Sequence, residues 1–327
     1  MQRILCICIS VVITGHLIAQ SVAGITGIPD TGFTIQHEFS RLRKNYPFIA
    51  IASHPDDPAI SVKRDITYCT VGPRRLQLDV FYPTALSNAK RTAIVIIHGG
   101  GWRSGNRTLH DVLAERLAAM GYICITPEYR LSTEALFPAA VDDIKSCIRW
   151  VRKNASQFNI DPQKIAALGH SAGGELAAFA GVTNDEAEFN GNGCHQKQDV
   201  AVQAVVDIDG ILAFIHPESG EGDDSKSRSA ATNWFGYSKS ENPALWIRGS
   251  PLTYAGKQSP PFLFINSSVE RMHAGRDDFI KVLAQYQIYT EVHTFEKAPH
   301  TFPFFDPWFE PMVQYIDGFL RKVFSLP

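Results

Sequence analysis

The order of apolar and polar residues predicts a sheet whose central strands are covered on both faces. Residues 93–97 and 122–126 are largely continuous apolar runs, which are typical of strands buried on two sides. Residues 76–82 instead alternate apolar and polar side chains, as a half-buried antiparallel strand does. Residues 109–120 have helical spacing and end at Gly121. Further strands are predicted at 66–69, 164–168, 200–208, 262–265 and 290–295, and further helices at 139–154, from 175 onward and at 309–323.

The first residues have the pattern of a secretory signal peptide. Arg3 precedes an apolar run over residues 4–12, and Ser21 and Ala23 fit the small-residue cleavage pattern, which places the cut after Ala23. An uncleaved membrane anchor is the alternative, but residues 14–16 interrupt an already short run. We therefore expect the mature protein to be soluble, secreted or periplasmic, and without stable insertion into a membrane.

The remaining chain divides into an arm and a main domain. Residues 24–60 are irregular and punctuated by prolines, which indicates an N-terminal arm lying on the domain. Residues 61–327 carry the alternating strands and helices, and they predict one α/β domain with a mostly parallel sheet and helices on both faces. Within it, residues 183–260 break the alternation, so we expect a small irregular insertion over the functional edge of the sheet.

Composition narrows the classes of partner. The chain has 327 residues, of which 45% are hydrophobic and 20% charged, and its formal net charge is −2 without a basic run. Binding to a nucleic-acid backbone usually needs a basic patch, so the expected partner is a small molecule or a polymer bound in a cleft. The four cysteines beyond residue 23 match no zinc spacing, and no metal is expected. Export permits disulfides, and a Cys69–Cys194 bridge is one of the possible pairings.

A Gly-x-Ser-x-Gly motif marks a candidate nucleophile. The residues 169–173 read GHSAG, between a predicted strand and a predicted helix. A sharp turn from strand to helix strains the backbone at the serine, and side chains on the flanking glycines would collide with neighbouring elements. Such a turn exposes the Oγ of Ser171 at the N-terminus of a helix. The alternative is a chance Gly-Ser-Gly turn, which the strand–turn–helix context disfavours.

A glycine-rich loop supplies the second motif. Residues 98–102 read HGGGW directly after a buried strand. Acyl transfer to serine passes through an oxyanion that needs backbone N–H donors, which we assign to Gly100, Gly101 and Ala172. His98 suits a structural hydrogen bond at the strand end. Trp102 could bind substrate, and with Trp234 and Phe235 it forms either a sugar-stacking wall or part of the core.

Together, HGGGW and GHSAGG resemble the hormone-sensitive-lipase-like branch of the α/β hydrolases, which includes carboxylesterases and carbohydrate acetylesterases. The similarity extends from about Val80 to the C-terminus. It implies the α/β-hydrolase fold, a triad in the order serine, acid, histidine, and no metal or organic cofactor.

His300 is the predicted general base. It lies between the last predicted strand and the final helix, where this branch places its catalytic histidine. Imidazole can take the serine proton near neutral pH and return it to the leaving group. His273 is the rival, and it could instead contact substrate beside Arg271.

Several carboxylates compete for the position of the acid. Register with the branch's strand and His-Gly-x-x-Asp segment selects Glu270, although the branch usually has Asp there with His-Gly before it. A glutamate can also orient imidazole. Asp277 is the alternative, but its place in the first turn of the next helix suits the helix dipole. Asp207 and Asp209 flank a strand end and could line the site, but a structural role is favoured for both.

These features predict a secreted serine esterase that hydrolyses carboxylic esters through an acyl-enzyme. Export and the resemblance to carbohydrate esterases favour O-acetyl groups on a plant polysaccharide, xylan or pectin, as the substrate. A general short-chain carboxylesterase is the first alternative, and an amide-cleaving relative is the second. A catalytically inactive hydrolase-fold binding protein is the alternative from a different class, but it would not need the serine, the histidine and the glycine loop together.

Overall fold

A computed structural model describes residues 24–55, 57–85 and 89–326, so the predicted signal peptide lies outside the described residues. Within them, eight strands form one sheet in the order β2-β3-β5-β4-β6-β7-β8-β9, and β1 pairs with β10. The strands are β1 (Ala50–Ile51), β2 (Ile60–Val71), β3 (Arg74–Pro83), β4 (Arg91–Ile97), β5 (Ile123–Pro127), β6 (Ile160–His170), β7 (Ala204–Ile208), β8 (Phe262–Asn266), β9 (Thr290–Thr294) and β10 (Phe305–Asp306).

The sheet is antiparallel at one edge and parallel elsewhere. The strands β2, β3 and β5 pair antiparallel, whereas β5-β4-β6-β7-β8-β9 pair in parallel. The tight β2–β3 turn contains Gly72 at φ +56°, a conformation that glycine adopts without strain. The alternating side chains of β3 and the apolar runs of β4 and β5 therefore predicted their places correctly.

Helices cover both faces of the sheet, which is the α/β-hydrolase fold, as predicted. Buried residues of α1, α2 and α9 pack on one face, and those of α3, α4 and α8 pack on the other. The helices are α1 (Ile35–Leu42), α2 (Asp111–Ala119), α3 (Ala139–Lys153), α4 (Ala172–Val182), α5 (Ala187–Asn190), α6 (Ala230–Phe235), α7 (Pro243–Arg248), α8 (Arg276–Gln285) and α9 (Phe309–Phe324).

The range 183–260, predicted as an insertion region, also contains the strand that the sequence predicts at 200–208. In the structure this strand is β7, a central strand of the sheet, so the irregular segments are those on either side. The second segment carries α6 and α7. The helix α6 begins after the capping hydroxyl of Ser229 and ends at Gly236, whose φ is +77°. Its buried Trp234 and Phe235 extend the core on the side of α3 and α4.

The arm and the cysteines also have defined places. Residues 24–60 include α1 and β1, and β1 joins the arm to β10 near the C-terminus. Cys69 on β2 and Cys194 form a disulfide, which confirms the suggested pairing, while Cys124 and Cys147 are buried free thiols. Among the described helices, none is both long and apolar enough to cross a membrane.

Candidate active site

Ser171 occupies a strained turn between β6 and α4. Its φ of +58° is unusual for a residue with a side chain, and its N–H donates to the carbonyl of Ile208 at 2.8 Å. A Cβ on Gly169 would lie 1.9 Å from the carbonyl oxygen of Gly173, and one on Gly173 would lie 2.1 Å from that of Ile97. Both positions exclude a side chain, so the glycines of the motif follow from packing at the turn.

A hydrogen-bonded chain of three side chains starts at Ser171. Its Oγ lies 2.8 Å from Nε2 of His300, and Nδ1 of His300 lies 2.9 Å from Oδ2 of Asp209. With a carboxylate at Nδ1, the imidazole carries its proton on Nδ1, and its Nε2 is free to accept the proton of the hydroxyl. The structure thus brings together the predicted nucleophile and the predicted base.

The predicted acid is wrong: His300 pairs with Asp209 and not with Glu270. Glu270 begins a 3₁₀ turn after β8, and its side chain is exposed. The alternative acid, Asp277, is also exposed and accepts hydrogen bonds from the guanidinium of Arg276. The register with the family segment failed because the acid of this chain follows β7 rather than β8.

Asp209 is held in place from two sides. It lies one residue beyond β7 at a φ of +52°, and the N–H of Ser267 donates to its Oδ1 at 2.8 Å. Asp207 accepts a hydrogen bond from the N–H of Gly210 at 2.7 Å, which fixes the turn that carries Asp209. Burial alone would raise the pKa of Asp209, but the hydrogen bonds from His300 and Ser267 outweigh burial and leave the pKa below its ordinary value.

A sequence signal for Asp209 existed but was weak. His170 pairs with Ile208 in the register of β6 and β7, so the residue after β7 lies beside the serine turn. Parallel strands bring their carboxyl ends to one edge of the sheet, where such residues meet. If the pairing of β7 with β6 were known, Asp209 would be the favoured acid. No local motif, however, indicates the order of the strands in the sheet.

The glycine-rich loop lies beside Ser171 with backbone angles that only glycine adopts easily. Gly100 has a φ of +118° and Gly101 a φ of +61°, and a Cβ on Gly100 would lie 2.0 Å from the carbonyl oxygen of Ser104. Within the described part of the chain, the N–H groups of Gly100, Gly101 and Ala172 have no hydrogen-bond acceptor. These three donors, predicted for an oxyanion, are thus available to a ligand.

Two histidines support this geometry without joining the chain of three. His98 donates from Nδ1 to the carbonyl of Gly99 at 2.8 Å, as expected for a structural role, and burial lowers its pKa to about 4. His170 donates from Nε2 to the carbonyl of His300 at 2.9 Å. Burial and the neighbouring His300 lower the pKa of His170 to about 3, so it stays neutral and keeps the backbone of His300 in place.

A buried carboxyl links the glycine loop to the helix that follows the serine. Glu175 on α4 is fully buried and accepts a hydrogen bond from Nε1 of Trp102 at 3.0 Å. Trp102 in turn stacks on Trp234, with ring centroids 4.7 Å apart, so both tryptophans belong to the core rather than to an exposed sugar-binding wall. Burial raises the pKa of Glu175 well above its ordinary value, and nearby Asp207 adds to the rise.

The raised pKa of Glu175 makes stability depend on pH. The unfolded chain loses this proton near the ordinary glutamate pKa of 4.5, whereas the folded protein keeps it to higher pH, so rising pH above that value favours unfolding. Glu175→Gln removes this dependence and keeps an acceptor for Trp102. We expect the stability of the variant relative to wild type to rise by up to about 1.4 kcal/mol per pH unit above that pKa.

Urea unfolding between pH 5 and 8 measures this difference. The exposed Glu296→Gln is the matched control, and its stability relative to wild type should stay constant over the same range. A pH-independent difference for Glu175→Gln would show that Glu175 is ionised in the folded protein.

The remaining predicted residues do not complete the site. Arg271 is 53% exposed and lies 3.9 Å from Glu221. His273 is half-buried, and burial together with the neighbouring Arg276 lowers its pKa. Neither residue hydrogen-bonds to Ser171 or His300 among the described residues, so the structure leaves His273 and Arg271 outside the chain of three. Among the residues that the structure describes, no group of three or more His, Cys, Asp or Glu side chains is placed to hold a metal.

A small cavity opens onto the serine. Its volume is about 190 Å³, which is less than the roughly 300–1,000 Å³ typical of sites for drug-sized ligands. A nucleophile, a base with its orienting acid and three free N–H donors meet at this cavity, which is the set that acyl transfer requires. The cavity is lined by Phe33, Gly100, Gly101, Ser104, His170, Ser171, His300 and Thr301.

The sequence matches one protein family and is similar to several curated esterases. The model of the BD-FAE family matches residues 78–273. Esterase LipC of Mycobacterium tuberculosis is 29% identical over 195 residues, covering 58% of this chain and 47% of the relative. Esterase LipQ of the same organism is 30% identical over 212 residues, covering 64% of this chain and 49% of the relative. The chain therefore spans about half the length of these curated relatives.

Solved structures share the fold over most of the chain. A truncated carbohydrate esterase from gut microbiota superposes with a TM-score of 0.66 at 23% identity, covering 81% of this chain and 99% of the other. Apo Thermogutta terrifontis esterase 2 superposes with a TM-score of 0.65 at 24% identity, covering 82% and 96%. At this level of identity the likeness concerns the fold alone.

Proposed function

From the premise that this chain belongs to the BD-FAE family, we propose that it is a serine hydrolase of carboxylic esters. The observation that carries the proposal is the unbroken hydrogen-bonded chain from Ser171 through His300 to Asp209, beside three unpaired N–H donors. An inactive binding protein would have no need to keep this arrangement. The names of the curated relatives, which include esterases and a probable carboxylic ester hydrolase, support the same reaction.

The proposed reaction has two half-reactions. The Oγ of Ser171 attacks the ester carbonyl while Nε2 of His300 accepts its proton, and Asp209 stabilises the imidazolium that results. The carbonyl oxygen becomes an oxyanion bound by the N–H groups of Gly100, Gly101 and Ala172. The alcohol leaves with the proton from His300, and water then releases the acid from Ser171 by the same route.

We propose O-acetyl groups on a plant polysaccharide, xylan or pectin, as the substrate. The small cavity at Ser171 supports a short acyl group. One structural neighbour is described as a carbohydrate esterase, and Thermogutta terrifontis esterase 2 has been solved with propionate and with butyrate bound. The predicted signal peptide would bring the protein to the compartment where such polymers occur. A general short-chain carboxylesterase is the second candidate, supported by the curated relatives.

Acetate release decides between these candidates. Purified protein is incubated with acetylated xylan, acetylated pectin, p-nitrophenyl acetate and p-nitrophenyl butyrate, and the same protein blocked at Ser171 by a fluorophosphonate is the control. We expect the free enzyme to release acetate from one of the polymers and the blocked enzyme to release none. Hydrolysis of the small esters alone would replace the polysaccharide proposal with the general carboxylesterase. Equal release by free and blocked protein on every ester would contradict the esterase function.

A further inference from the structure

The N-terminal arm is tied to the loop that carries the oxyanion donors. The N–H groups of Thr26 and Gly27 donate to the carbonyl of Thr133 at 2.8 and 2.9 Å. Asp30 then forms a parallel bridge with Ser104, which lies just beyond the glycine loop and lines the cavity. The arm therefore has a fixed position beside the site, held mainly by its backbone.

The arm also contacts the loop of His300. Phe33 lines the cavity together with Ser171 and His300, and its ring lies 6.3 Å from that of the buried Phe304. In the helix that follows, the carboxylate of buried Glu38 accepts a hydrogen bond from Thr301, the residue after His300, at 3.4 Å. The ring of Phe33 thus lines the cavity and packs against Phe304 of the loop that follows His300.

Phe33 is the large apolar side chain among the residues that line the cavity. The others are glycines, small hydroxyl residues, Ser171 and two histidines that the site needs for hydrogen bonds. A change at Phe33 can therefore alter the volume without removing a reacting group. A cavity of about 190 Å³ cannot enclose a polymer chain but has room for a small acyl group, so we place the acyl group in the cavity and the polymeric alcohol toward open solvent.

We propose that Phe33 sets the upper size limit of the acyl group, so that acetyl is preferred over longer chains. This inference rests on the proposed esterase function. The ring lines the cavity at the side of the arm, and an acyl chain long enough to reach it must displace it or leave the carbonyl misplaced relative to Ser171. Misplacement of the carbonyl lowers kcat/KM because the reacting atoms lose their alignment.

The test measures kcat/KM for p-nitrophenyl acetate, butyrate, hexanoate and octanoate with wild type, Phe33→Ala and Phe33→Leu. We expect wild type to favour acetate. In Phe33→Ala the hexanoate-to-acetate ratio should rise at least about tenfold, the scale on which a pocket discriminates single methylenes, and Phe33→Leu should shift it in the same direction by less. Phe48→Ala is the matched control, because Phe48 belongs to the same arm, is 63% exposed and does not line the cavity.

The outcomes separate the two proposals. If wild type and variants hydrolyse esters with the same ratio, the assignment of Phe33 is overturned while the esterase function stands. A wild type without ester hydrolysis would overturn both. If Phe33→Ala does not fold, as judged by circular dichroism, the ratio in Phe33→Leu decides. A series of acetate esters with alcohols of increasing size is measured in parallel, and a change there instead of in the acyl series would overturn the acyl assignment.

Discussion

Asp209→Asn is expected to lower kcat for p-nitrophenyl acetate about 10⁴-fold, the cost that this replacement has in a serine–histidine–aspartate triad. The carboxylate accepts the proton of Nδ1 of His300 across 2.9 Å, whereas the amide of asparagine can donate to Nδ1. The imidazole would then carry its proton on Nε2, and Nε2 could no longer accept the proton of Ser171. Because the substrate does not contact Asp209 directly in the proposed reaction, KM should change little.

Steady-state kinetics of Asp209→Asn and Glu270→Gln check this assignment side by side. Glu270 is exposed and has no hydrogen bond or ion pair to the described residues, so its variant should keep kcat within about twofold of wild type. Circular dichroism and thermal unfolding of Asp209→Asn control for loss of the bond to Ser267. A large loss in Glu270→Gln with activity retained in Asp209→Asn would restore the acid that the sequence predicted.

Gly100→Ala is expected to lower kcat about 10²–10³-fold, the effect of losing one oxyanion donor. The new methyl group would lie 2.0 Å from the carbonyl oxygen of Ser104, which is backbone and cannot rotate away. The loop must therefore move, and the N–H groups of Gly100 and Gly101 move with it. Single-turnover measurements with p-nitrophenyl acetate report this loss in the acylation step.

Gly72→Ala separates the collision from the cost of a positive φ. Gly72 has a φ of +56°, and a Cβ there meets nothing within 4 Å. This variant should lose a little stability and keep its kcat, because the β2–β3 turn is remote from the chain of three. Comparable losses of kcat in both variants would mean that backbone strain, rather than displaced donors, explains the effect at Gly100.

Local motifs placed the serine turn and the glycine loop, and the structure has both beside His300. The glycines at positions 169 and 100 are required by backbone contacts four residues further along the chain, so this requirement belongs to the local motif. Gly173 instead meets the carbonyl of Ile97 on the neighbouring strand. The choice of Asp209 is different. It depends on β7 lying next to β6, a pairing between segments that are distant in sequence, and the position of Asp209 at a strand end is only a weak sign of it.

The same distinction applies to the fold. The local pattern of apolar residues in β4, β5 and α3 indicates that these elements are buried, so their positions were predicted closely. Within 183–260 the sequence predicts the strand at 200–208, which is β7 in the structure, but the irregular segments on either side gave no sign of its central place in the sheet. The arm was recognised as an arm, but its contacts with Ser104 and Thr301 depend on side chains and carbonyls of the distant main domain.

The order of the three reacting groups along the chain has a consequence for how activity arises. His300 lies 129 residues after Ser171 and 91 residues after Asp209, and it follows the last strand of the sheet. Long separations between contacting residues slow folding, because the loops must close before these contacts can form. In the proposed reaction, Ser171 is therefore not activated until the segment after β9 has brought His300 to it. Recovery of activity during refolding would report this long-range assembly step.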